Sequence, residues 1–153
     1  MRHFIVTIAL LLATASAGAN EAVSVRTSDS VAIGGHDTVA YHSTSNRQSH
    51  QQIQGDNHFE VHWNGATWRF ASLASANRFA ADPERYRPEY NGFCSNALSL
   101  DEGLIPTDGS VWEFFGDQLH LFYAERGRQR WLNGDWQHYR AQADRAWESL
   151  KIR

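Results

Sequence analysis

The chain has 153 residues and a single cysteine, Cys94. One thiol makes no intramolecular disulfide, no CxxC redox pair and no cysteine-rich zinc site. Positive charge is also short. Lys and Arg number 14 against 17 Asp and Glu, for a formal net charge of −3. No basic excess is available to meet nucleic-acid phosphates. Long apolar runs are missing too. The longest, Phe4 to Ala13, falls well short of the roughly 20 residues a bilayer span needs. There is no Gly-rich phosphate loop opening a helix, no G-x-S-x-G elbow and no H-E-x-x-H. No internal repeat or linker divides the chain. Its length suits one domain, large enough to bury a core without disulfide staples.

What is present begins with an address. Arg2 opens a short basic segment, the apolar run follows, and small residues close it with Ala15-Ser16-Ala17 and Ala17-Gly18-Ala19. This is the pattern of a secretory signal peptide over residues 1–19. Cleavage is expected after Ala19, with Ala17 the alternative and an uncleaved N-terminal anchor the competing reading. No cysteine follows for a lipid anchor, and there is no twin arginine. The expected location is periplasmic or secreted, with no membrane span after signal removal. Residues 20–32 read as a flexible N-terminal segment, and 33–150 as the folded domain.

Within the domain, Val31 to Tyr41 reads as a strand or strand-turn around Gly34-Gly35. His42 to Gly55 is polar and reads as an exposed loop with His42 and His50 solvated. Asn64-Gly65 is the preferred pair for a type I′ hairpin turn. Closing it faces Trp63 with Ala66, Val61 with Trp68 and Phe59 with Phe70 on an apolar side. His62 then meets Thr67, and Glu60 meets Arg69, on the other side. Ser72 caps a helix bearing Leu73, Ala76, Phe79 and Ala80 on one stripe, and Asp82-Pro83 starts another. Phe93 to Leu100 reads as a short helix beginning beside Cys94. Gly116-Asp117 suits a II′ turn, which faces Phe114 with Leu119, Trp112 with Leu121 and Glu113 with His120. Glu125 to Leu132 reads as helix, and its Arg126, Arg128 and Arg130 as a solvated face. Asp135 caps a last amphipathic helix carrying Trp136, Tyr139, Ala143, Ala146, Trp147 and Leu150. The expected fold class is α+β: two antiparallel hairpins packed with several short helices and a C-terminal amphipathic helix.

Several of these strings resemble small secreted proteins of the YHS-domain family. They are Gly35-x-Asp37-x-Val39-Ala40-Tyr41 and Gly65-x-x-Trp68-x-Phe70-Ala71-Ser72. The longest is Asn77-Arg78-Phe79-x-x-Asp82-Pro83-x-x-Tyr86-x-Pro88-x-Tyr90-x-Gly92-x-Cys94. Leu119-x-Leu121-Phe122-Tyr123 and Trp147 extend the likeness to most of the chain. The resemblance implies a small α+β module, with metal binding, copper above all, suspected in the wider family. That suspicion rests on members with a cysteine early in the domain and another in the hairpin's Phe-Cys-Ser. Here Asp37-Thr38-Val39-Ala40 and Phe70-Ala71-Ser72 carry neither.

The residue chemistry leaves few candidates. A Cys94 thiolate can ligate Cu(I) or Zn(II), or attack as a nucleophile; a buried thiol packed as a small apolar group is the alternative. His36 beside Asp37 can serve as a ligand, while Asp37 is expected to hold its turn through backbone N–H groups. His58 and His62 on a strand stand about 13 Å apart, too far to share a metal. Tyr86 and Tyr90 flank Pro88 and can line a ligand pocket with Cys94. The expectation is a non-catalytic binding module for a metal ion, copper by the resemblance, or for a small molecule. Its site residues are Cys94 and His36 for the metal, and Asp37, Tyr86 and Tyr90 for the ligand. A ligand-free envelope interaction module and a thiol-dependent redox protein using Cys94 are the alternatives.

Overall fold

The computed structural model describes residues 21–25 and 28–151. The expected signal peptide lies outside the described residues. The architecture is α+β, with two two-stranded antiparallel sheets and six α-helices among the described residues. None of those helices is long and apolar enough to cross a membrane.

The first hairpin pairs β1 (Asp56–Trp63) with β2 (Ala66–Phe70). Asn64 and Gly65 both take positive φ, 51° and 76°, as a type I′ turn demands. Trp63 faces Ala66, Val61 faces Trp68, His62 faces Thr67 and Glu60 faces Arg69. The register then slips, so Phe70 pairs with Asp56 rather than Phe59. A slip of this kind bends the strand and re-aims its side chains. Phe59 still packs against the core from a half-buried position.

The second hairpin pairs β3 (Val111–Phe115) with β4 (Gln118–Phe122) around Gly116, whose φ is 62°. It separates two cores. Trp112, Leu119 and Leu121 face a core shared with Trp68, Phe70, Phe79 and Tyr41. Phe115 and Phe122 face another, built with Tyr90, Trp131, Ala143 and Trp147. Both faces of this hairpin are therefore buried, unlike the one-sided first hairpin.

Helices close the two cores. On the first hairpin lies α2 (Leu73–Ala81), whose cap Ser72 accepts from Ser75 N at 3.1 Å. Its stripe is narrower than expected: Ala76 and Phe79 are buried, whereas Leu73 and Ala80 are exposed. Asp82 caps the short α3 (Pro83–Tyr86) through Arg85 N. Over the second core lie α4 (Ser95–Ser99), α5 (Glu125–Asn133) and α6 (Trp136–Lys151). Asp135 caps α6 by accepting from His138 N at 3.0 Å.

Two expectations are corrected. Of the strand or strand-turn expected over Val31 to Tyr41, the turn at the Gly pair forms and the strand does not: there are two 3-10 turns, Ile33–Gly35 and Ala40–His42, with isolated bridges at Val31, Ala32 and His36. Gly34 and Gly35 at φ 70° and 78° end any extended run. At Gly34 a Cβ would sit 2.4 Å from the Asp108 carbonyl oxygen. The stretch from His42 to Gly55 is not a simple exposed loop either. It contains α1 (Thr44–Ser49), capped by Ser43. Within the segment expected to be flexible, Val23, Ser24, Val31 and Ala32 are buried. Ser24 Oγ donates to the Thr107 carbonyl and accepts from Thr107 N.

Candidate functional site

The structure disperses the five residues singled out from the sequence. Cys94 is buried as the N-cap of α4. Its Sγ accepts from Ala97 N at 3.5 Å and from Tyr123 N at 3.3 Å. The sulfur thus ties α4 to the end of β4. Native Cys94 is therefore expected to react slowly with an alkylating reagent and to become reactive on denaturation; fast modification of the folded protein would refute that placement.

His36 lies elsewhere, with Nδ1 2.8 Å from the Asp108 carbonyl oxygen. Asp37 is 1% exposed; its Oδ1 accepts from Ala40 N and its Oδ2 from Ala71 N, each at 3.0 Å. It holds its own turn, as expected, and also pins that turn to the end of β2. Tyr90 sits in the second core and donates its hydroxyl to Asp144 Oδ1 at 2.8 Å. Burial and the Asp144 carboxylate push its pKa far above the ordinary phenol value. Tyr86 packs against the first core instead. Among the described residues, no three His, Cys, Asp or Glu side chains gather as a metal site.

His50, His58, His62 and His138 are exposed, His50 with a partner. His50 Nε2 is 2.8 Å from Glu113 Oε2, and its ring lies 5.2 Å from Trp112. Glu113 is shared with Arg128, whose Nη2 and Nε approach at 2.8 and 3.2 Å. Arg130 bonds Asn96 and Ser99. The α5 arginines at 128 and 130 therefore stitch elements together rather than forming a solvated face. His120 does pair across the hairpin with Glu113. Its ring, however, is fully buried among Tyr90, Phe115 and Trp131, with Nδ1 2.9 Å from Ser95 Oγ.

His42 is where unspent chemistry collects. The Ala40–His42 turn places its ring edge-on between Tyr86, at 5.3 Å, and Phe114, at 5.0 Å. Each of those rings carries a guanidinium. Arg47 of α1 lies 3.6 Å over Phe114, and Arg85 of α3 lies 5.6 Å over Tyr86. The result is a row: Arg85, Tyr86, His42, Phe114, Arg47. Of these, His42, Arg47 and Arg85 line a cleft of about 520 Å³ together with Asp82 and Asp117.

Two polar atoms there lack partners. His42 Nε2 and Arg47 Nε are shielded from solvent and make no hydrogen bond. No ion pair among the described residues uses Arg47 or Arg85. Burial first, and then the charges of Arg47 and Arg85, push the His42 pKa down to about 4. The imidazole is neutral at pH 7 in a field set by two cations. A second cleft, lined by Glu21, Trp63, Asn64, Glu84, Arg87 and Lys151, differs in kind. Its cations are already paired, Arg87 with Glu84 and Lys151 with Glu21.

Stacking occupies the flat faces of a guanidinium and leaves its N–H edge free for a planar acceptor. The cleft can therefore meet a carboxylate or phosphate from two sides, with the guanidiniums of Arg47 and Arg85. Sequence reasoning missed it because no motif joins residues 42, 47 and 85. No family model matches the chain, and neither a curated protein nor a solved structure does.

Proposed function

We propose that the chain is an exported, non-catalytic binding module, and that its ligand is a small molecule with an anionic head held by Arg47 and Arg85. One observation carries this reading. Two guanidiniums that make no ion pair among the described residues share a cleft with a neutral imidazole. A bound anion would supply the counter-charge that the protein does not. Export is supported by the residue pattern over 1–19, and a YHS-like module by the spaced strings around Asp37, Trp68 and Pro88. Cys94, the thiol whose chemistry could ligate copper, has its sulfur engaged by two backbone N–H groups.

The test is calorimetric titration with inorganic phosphate and with acetate, at constant ionic strength because exposed charges are screened within about 10 Å at 0.1 M salt. Saturable one-to-one binding is expected. Arg47→Ala and Arg85→Ala should each weaken it about tenfold or more, the worth of one charge-assisted hydrogen bond. Cys94→Ala should leave it unchanged. Two results would contradict the reading: anion binding indifferent to both arginines, or a one-to-one Cu(I) complex abolished by Cys94→Ser with no anion binding at all.

A further inference from the structure

Asp82 and Asp117 remain to be explained. Both are exposed at the mouth of the cleft. Asp82 Oδ1 caps α3, accepting from Arg85 N at 3.3 Å, and Asp117 stands at the tip of the β3–β4 turn. Four opposite charges lining one small cleft would ordinarily neutralise one another directly. Here they do not. Among the described residues, neither carboxylate comes within the 4.0 Å of an ion pair to either guanidinium.

Both signs therefore stand unspent in one cleft. A small anion would satisfy the guanidiniums and leave the carboxylates unused. A small cation would meet two guanidiniums within the same cleft. A molecule carrying both signs on neighbouring atoms would bridge the gap the protein leaves open.

We infer that the cleft recognises a zwitterion, an α-amino acid, with its carboxylate between Arg47 and Arg85 and its ammonium turned to Asp82 and Asp117. This rests on the reading of the cleft as the ligand site and adds the second half of the ligand. The ammonium has three donors and needs no fixed fork, which suits two carboxylates at an exposed mouth. The carboxylate, the planar partner, takes the two guanidiniums, of which Arg47 lies on Phe114. A volume of about 520 Å³ leaves room for a side chain beyond the two charged groups.

The experiment uses the purified chain and a panel of L-amino acids, each with its N-acetyl derivative and its methyl ester. Acetylation removes the ammonium, and esterification removes the carboxylate. Binding is followed by calorimetry and by chemical-shift changes at His42 and Arg47. At least one free amino acid should bind. Its N-acetyl form should bind about tenfold more weakly, and its methyl ester should not bind detectably. Asp117→Asn should bring the free amino acid down to the level of its N-acetyl form. Asp82→Asn, which keeps an oxygen to cap α3, should act in the same direction. N-acetyl and free forms that bind equally would overturn the zwitterion while leaving the anion site standing. A panel without any binder, in a protein that does bind phosphate through Arg47 and Arg85, would overturn it too. Silence toward both the panel and phosphate would remove the ligand site itself.

Discussion

Replacing Asp37 by alanine is expected to cost about 3 kcal/mol of folding stability, a large fraction of what a domain of this size has. The carboxylate is buried and uses both oxygens. One accepts from Ala40 N, closing the turn that carries His42; the other accepts from Ala71 N, where β2 gives way to α2. Among side chains of this length, only a carboxylate offers two acceptors in that fork. Alanine leaves two backbone N–H groups without their partner, and each charge-assisted bond is worth about 1.5–3 kcal/mol. Asn keeps one acceptor and turns an NH2 toward the other N–H, so Asp37→Asn should cost about half as much. Denaturant midpoints with an unchanged slope are the measurement. If Asp37→Ala unfolds at the wild-type midpoint, the carboxylate is not the clasp its geometry indicates.

Acid should destabilise the protein well above the range in which ordinary carboxylates titrate. His120 is the cause. Its ring is fully buried, and its Nε2 has no hydrogen-bond partner. Burial, with a smaller contribution from Arg140, pushes its pKa down to about 3. In the unfolded chain a histidine titrates near 6.5. As pH falls below that value the unfolded state takes up a proton that the folded state refuses. Stability is then complete above about pH 6.5 and drains away as pH falls toward the folded value. At pH 5 the loss is about 2 kcal/mol, from about 1.5 units at 1.36 kcal/mol each. His42, also held low, adds to the same slope. Unfolding curves at pH 7 and pH 5 should differ by about 4 kcal/mol, about 2 from each histidine, and His120→Gln should remove about half of the dependence. An equal loss in the variant would place the proton uptake elsewhere.

The sequence was legible where local chemistry decides. The Asn64-Gly65 turn, the pairs it closes, the whole register of the second hairpin and the caps at Ser72, Asp82 and Asp135 follow from short-range rules. It was not legible where tertiary cover decides. The slip between Asp56 and Glu60 has no signal in residue type. His120 was placed correctly opposite Glu113, yet its surroundings depend on α5 and α6 covering a face that period two alone leaves open. The near-continuous apolar character of Leu119 to Phe122 was the available hint, because strands buried on both faces lose alternation.

The candidate site shows the same division. Asp37 announced its turn through its residue type and its neighbours. Cys94 announced a helix start, and its sulfur proved to be the cap. The cleft at His42 is assembled from three separate pieces: a 3-10 turn, a short helix in a stretch rich in polar residues, and the residue after a Pro-Glu cap sequence. Polar residues in such stretches usually face water, so nothing local marked Arg47 as lying on Phe114. Nothing marked His42 as shielded either. Sequence reasoning assigned the chemistry to the rare residue, Cys94, whereas the unsatisfied groups belong to common ones.

The most direct test of the account is a nitrogen-detected NMR titration of the purified chain with inorganic phosphate, observing the His42 imidazole and the Arg47 Nε–H. The account predicts that both signals move together and saturate on one binding curve, and that Arg85→Ala shifts the curve to higher phosphate. Signals that stay fixed in the wild-type chain, or that move equally in Arg85→Ala, would contradict it.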